Sequence, residues 1–115
     1  MLATDELAAD KMLALFGRAA ARDFVDVYTL AGFFGEERLS ELAAQKDLGF
    51  DQRHFADALG AFSRLDRDLF EVSDATYESI RTWSDSWRTR LLERGIEHGI
   101  PGVRPDRGDD LGLGL

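Results

Sequence analysis

From Thr4 to Gly95 the apolar residues recur at every third or fourth position, and in no segment do they alternate one by one. A helix turns about 100° per residue, so this spacing gathers apolar side chains along one helical face, whereas a half-buried strand needs a period of two. The pattern predicts an all-α fold of about five helices in an antiparallel, bundle-like array.

The punctuation between the periodic segments places the helices. Thr4 is positioned to cap a first helix, and Asp5 and Glu6 suit the positive end of its dipole. That helix is expected to run to about Phe16 and stop near Gly17. Residues 18–21 either connect or already begin a second helix, which covers roughly Ala21 to Ala31 and ends at Gly32 and Gly35. A third helix fits Glu36 to Lys46, with Leu39, Leu42 and Ala43 as its apolar row. Asp51 caps a fourth, in which Phe55, Leu59 and Phe62 share a face. Residues 63–72 read as its continuation followed by a turn. Ser73 or Asp74 caps the fifth and longest helix. Its stripe is Tyr77, Ile80, Trp83, Trp87 and Leu91, and Gly95 is its expected end. The segment 99–115, GIPGVRPDRGDDLGLGL, holds both prolines and has no periodicity. The expected organisation is a helical domain over residues 1–95 and a flexible tail over 96–115.

With 115 residues the chain is long enough for one domain, and 44% hydrophobic against 31% charged residues is a globular balance. No run approaches the roughly 18 apolar residues of a membrane helix. The acidic N-terminus is unlike a signal peptide, and the expected compartment is the cytoplasm. There is no cysteine, which excludes disulfides and thiolate metal sites. A net charge of −8 argues against a free-standing nucleic-acid binder, although a local basic spot can still hold a small anion. His54 and His98 stand apart from any metal-ligand spacing. The LGLGL ending is no phosphate loop, because no helix follows it. The aromatic residues Phe55, Phe62, Phe70, Tyr77, Trp83 and Trp87 read as helical core. A docking face for a partner domain is the competing reading.

Charge on the apolar faces is the unusual feature. The narrow face of the first helix holds Leu7, Lys11, Ala14, Leu15 and Arg18, with Lys11 at its centre. Arginine supplies nearly all the positive charge, and Lys11 and Lys46 are the only lysines. In the second helix Asp23 shares a face with Val27, Leu30, Ala31 and Phe34, and Asp26 lies on its flank. A buried carboxylate is costly unless paired or hydrogen-bonded. Asp23 has the helix N-terminus and Arg18, Arg22 or Lys11 to offset that cost. Two uses of the seam Lys11, Arg18, Arg22, Asp23 and Asp26 stay open. One is structural: ion pairs, a cap and a snorkelling lysine. The other is a site in which cations meet phosphate oxygens and a carboxylate holds Mg²⁺ or orients a nucleophile.

The stretch ELAADKMLALFGRAAARDFVDVYTLAGFFG, residues 6–35, resembles the helical part of the AbiEii/AbiGii-type nucleotidyltransferase toxins of type IV toxin–antitoxin and abortive-infection systems. The lysine helix followed by RDFVDVY carries the likeness. It extends with less diagnostic text to about Leu92. The resemblance implies transfer of a nucleotide from an NTP, with Mg²⁺, to an acceptor such as the 3′ end of tRNA. It implies Lys11, with Arg18 and Arg22, at the NTP phosphates, and Asp26 as the acidic motif residue, with Asp23 the other candidate. It also implies a cognate antitoxin as partner. The family's metal-binding head is a glycine-rich strand–turn with an Asp-x-Asp pair, and it has no counterpart in this text. The one Asp-x-Asp, Asp66 to Asp68, does not follow a glycine-rich strand turn. The expectation is thus the helical portion of such a toxin, inactive alone and completed by a separate catalytic head. The alternative is a non-enzymatic helical domain that binds an antitoxin or partner toxin domain.

Overall fold

In a computed structural model the chain is described over residues 4–98, and among these every regular element is helical. Five α-helices follow one another: α1 (Asp5–Gly17), α2 (Ala21–Phe34), α3 (Glu36–Lys46), α4 (Gln52–Gly60) and α5 (Asp74–His98). Two 3₁₀ turns, Ala61–Arg64 and Arg67–Leu69, lie between α4 and α5. The all-α expectation holds. Most of the expected tail lies outside the described residues.

Local chemistry accounts for the helix starts. Thr4 Oγ1 accepts the Leu7 N–H at 3.1 Å, Asp51 accepts the Arg53 N–H at 2.8 Å, and Ser73 Oγ accepts the Thr76 N–H at 3.1 Å. Each side chain satisfies a donor the helix cannot pair internally. The ends follow the sequence less closely. Helix α2 passes through Gly32 and stops at Phe34, where Gly35 adopts φ 82° and ψ 152°, a conformation closed to most L-residues. Helix α5 runs through Gly95 to His98, so Gly95 is not its end. A glycine inside a helix costs only about 1 kcal/mol relative to alanine, too little to stop a helix that its neighbours support.

Helix α1 is the hub and packs against α2, α3 and α4, while α5 lies along α4 and touches α2. Its buried residues are Ala8, Ala9, Met12 and Leu15. The face is therefore centred near Met12, and Lys11, expected at the centre, sits on its rim, where its side chain is 39% exposed. The small alanines bring neighbouring helices close on the side that a count of large apolar residues passes over. In α2 the buried set is Ala21, Asp23, Phe24, Val27 and Leu30. Asp23, Val27 and Leu30 lie on the face the periodicity predicts, whereas Ala21 and Phe24 fall outside the predicted set and Ala31 and Phe34 are only partly buried.

The aromatic residues form a continuous core. Phe24 of α2 meets Phe62 edge-on at 5.3 Å, Phe62 meets Phe70 at 5.0 Å, and Phe70 meets Tyr77 of α5 at 5.2 Å. Phe55 of α4 packs edge-to-face on Trp87 at 4.9 Å. Burying rings of this size contributes about 1.5–3 kcal/mol each. These contacts leave Phe55, Phe62, Phe70 and Trp87 buried rather than presented as a docking face.

Residues 61–72 do not continue α4. Arg67 holds this connector in shape: its guanidinium donates to Phe70 O at 3.0 Å, to Val72 O at 3.1 Å and to Asp74 at 2.7 Å, and it lies 4.5 Å over the Tyr77 ring. A planar fork satisfies several carbonyls at once and stacks on an aromatic face, so an irregular segment keeps its backbone groups paired.

Candidate functional site

The α1–α2 hairpin brings the charged seam together. The turn spans Arg18 to Ala20 and is tight, with Ala19 in the left-handed region at φ 51°. It reverses the chain, so the last turn of α1 and the first turn of α2 lie side by side. Two nested pairs result, Arg18 with Asp23 and Lys11 with Asp26.

The inner pair is closed. Asp23 is 1% exposed. Its Oδ2 accepts from Arg18 Nε at 2.9 Å and from the Ala20 N–H at 2.8 Å, and its Oδ1 accepts from Arg18 Nη2 at 2.5 Å. The bidentate fork and the N-terminal amide use both oxygens. Burial pushes this carboxyl up. The Arg18 hydrogen bonds, the Ala20 amide and the charges of Arg18 and Arg22 outweigh burial and hold it below the usual carboxylate range. The Arg18 guanidinium, half exposed, is raised in turn, first by its hydrogen bond to Asp23.

The outer pair is open. Lys11 Nζ donates to Asp26 Oδ2 at 2.9 Å, and more than a third of each side chain is exposed. Asp26 Oδ1 takes part in no hydrogen bond among the described residues. Arg22 is exposed at the first turn of α2. Beside it a hollow of about 570 Å³ opens between α2 and the connector, with Arg22, Val25 and Asp26 on one wall and Leu65, Leu69 and Val72 on the other. The connector's share in this hollow, Leu69 above all at 58% exposed, was not foreseen from sequence. The exposure of a large apolar side chain next to a charged pair becomes visible only once residues 61–72 are seen to leave the helix.

The five residues expected at the site thus fall into distinct surroundings. Lys11 and Asp26 meet at a partly exposed pair, Arg18 and Asp23 form a closed pair at the turn, and Arg22, in no hydrogen bond or ion pair among the described residues, lines the hollow and acts on Asp23 through its charge. Among the described residues no three His, Cys, Asp or Glu side chains converge as a metal cluster. The donors present fit Mg²⁺ only as a single carboxylate, Asp26, with the rest of an octahedral shell left to water and phosphate oxygens. They fit an NTP through the Lys11 ammonium and the Arg22 guanidinium. No helix among the described residues is long and apolar enough to cross a membrane.

A family model described as the nucleotidyl transferase AbiEii toxin of type IV TA systems matches residues 1–101 of the chain. No curated protein and no solved structure matches it.

Proposed function

The chain belongs to the AbiEii nucleotidyltransferase toxin family, and from that premise we propose that its α1–α2 hairpin is the phosphate-facing side of a nucleotide site. The observation that carries the reading is the open Lys11–Asp26 pair beside a hollow, directly above a pair that is closed. Lys11 binds an NTP phosphate oxygen when it exchanges Asp26 for the ligand. Arg22 approaches the same phosphates from the first turn of α2. Asp26 is the carboxylate left available, because both oxygens of Asp23 are taken. Arg18 and Asp23 are positioning residues that fix how α2 leaves the turn. Mg²⁺, when bound, neutralises phosphate charge. The apolar wall of Val25, Leu65, Leu69 and Val72 suits the base or sugar face of the nucleotide.

In this reading the helical domain binds nucleotide but does not transfer it alone. Two-metal chemistry needs carboxylates held close together on a rigid element, and the described residues supply Asp26 without such a partner. A separate head supplies them, and an RNA end such as that of tRNA is the acceptor. The type IV family implies an antitoxin partner.

Titration of the chain with each NTP and Mg²⁺ by calorimetry tests the proposal. Affinity is expected to fall at least tenfold in Lys11→Ala and in Asp26→Ala, with unfolding midpoints close to wild type, because exposed ion pairs contribute little to stability. Unchanged binding in both variants would leave the seam purely structural. Labelled-nucleotide transfer to tRNA by the lone chain would refute the requirement for a separate head.

A further inference from the structure

A second hollow, of about 880 Å³, lies where the C-terminal end of α4 and the first 3₁₀ turn meet α5. Its wall holds Asp57, Gly60 and Arg64 from one side and Arg81, Asp85 and Arg88 from α5. Positions 81, 85 and 88 recur at helical spacing and share one face of α5. None of these residues belongs to the α1–α2 hairpin, and the size is that of a small-molecule site.

Arg88 is the unusual group. Its Nε is buried and has no hydrogen-bond partner. It lies against Gly60, where an added Cβ would come within 3.0 Å of it. Gly60 has φ −65° and ψ −20°, ordinary helical values, so the backbone does not require glycine there. The absent side chain makes room for the guanidinium. The C-terminal end of α4 attracts a cation through its dipole, which accounts for the charge at this place but not for a buried donor without an acceptor.

Arg81 is already held by Glu78, at 2.9 and 2.6 Å. Arg64 and Arg88 enter no ion pair among the described residues, and neither do Asp57 and Asp85. Two unpaired guanidiniums suit one phosphate, to which a guanidinium donates as a fork. Asp57 and Asp85, the latter also acting on Arg81 through its charge, repel further phosphates and accept from hydroxyl groups. The geometry points to a site for a phosphorylated sugar, with its phosphate on Arg88 and Arg64 and its hydroxyls on Asp57 and Asp85.

The test is an amide-resonance titration of the full chain with ribose 5-phosphate, alongside AMP, ribose and inorganic phosphate. Ribose 5-phosphate is expected to bind saturably and to shift resonances of residues 57–64 and 81–88. Its affinity should fall at least tenfold in Arg88→Gln and also fall in Gly60→Ala, which keeps the charge but displaces Nε. Lys11→Ala should leave it unchanged. Tighter binding of AMP that shifts residues 57–64 and 81–88 and survives Lys11→Ala identifies a nucleotide as the source of the sugar phosphate, and equal binding at those residues identifies the sugar phosphate as the whole ligand. Absence of saturable binding to about 10 mM of either ligand, or wild-type affinity in a folded Arg88→Gln, overturns the proposal. Inorganic phosphate binding as tightly as ribose 5-phosphate overturns the role given to the two carboxylates.

Discussion

Replacing Asp23 by alanine removes three hydrogen bonds at once: two from Arg18, at 2.9 and 2.5 Å, and one from the Ala20 amide at 2.8 Å. Hydrogen bonds to a charged group contribute about 1.5–3 kcal/mol each, but the half-exposed Arg18 regains water when its partner leaves, and the burial cost of the carboxylate is also relieved. The expected net loss is about 2–3 kcal/mol, which lowers the melting temperature of a domain this size by about 10–20 °C. Urea unfolding followed by circular dichroism and by the fluorescence of Trp83 and Trp87 measures it. The pH dependence gives a second check. The folded-state carboxyl is held below its unfolded value of about 3.9, so its stabilisation is complete above that value and disappears as pH falls through the lower, folded one. The gap between wild type and Asp23→Ala should be constant from neutral pH to about pH 5 and then close as acid is added. A wild-type midpoint in Asp23→Ala, or a gap that persists undiminished to the lowest pH at which the protein folds, would refute the reasoning.

Lys11→Ala, whose pair with Asp26 is more than a third exposed, should lower the unfolding free energy measured in urea by less than about 1 kcal/mol, in contrast to Asp23→Ala. Phe24, fully buried against Phe62 and Phe70, should cost about 3–5 kcal/mol when cut to alanine, measured by the same unfolding experiment. Ala19→Gly should stabilise the fold by up to about 1 kcal/mol, because glycine occupies the left-handed region without the clash that alanine bears at φ 51°. Gly35→Ala should destabilise it by about 1–3 kcal/mol, since φ 82° with ψ 152° is a glycine conformation; a neutral result for either glycine exchange would show that the backbone relaxes at that turn.

What could be read from the sequence was what depends on neighbours along the chain. Thr4, Asp51 and Ser73 each cap a helix through an amide two or three residues on, and that chemistry is visible in the text. The stripe of α5 and the burial of Asp23 followed from periodicity. The features missed depend on contacts between distant segments. Gly32 and Gly95 lie inside helices because a glycine's propensity cost, about 1 kcal/mol, is too small to end one. The face of α1 turns toward Met12 because Ala8 and Ala9 allow close approach, a steric advantage that hydropathy undervalues. The connector after Gly60 owes its course to Arg67, whose partners Phe70, Val72 and Asp74 are fixed only by the fold. At the seam, sequence placed the five charged residues on adjoining helices but left the pairing open. The hairpin turn decides it, giving Arg18 to Asp23 and Lys11 to Asp26.

The Lys11–Asp26 contact also bears on how the hairpin responds to ionic strength. In a chain of net charge −8, a bare ammonium awaiting phosphate would attract it through a field that salt erodes steeply. Here the ammonium already has a carboxylate at 2.9 Å. In the proposed nucleotide reading, a phosphate would replace Asp26 as the partner of Lys11 and the freed Asp26 carboxylate would face any cation the nucleotide carries, so exposed charge would change little. A plot of log Kd against log salt should accordingly be shallow, and Asp26→Asn, which leaves Lys11 bare, should steepen it.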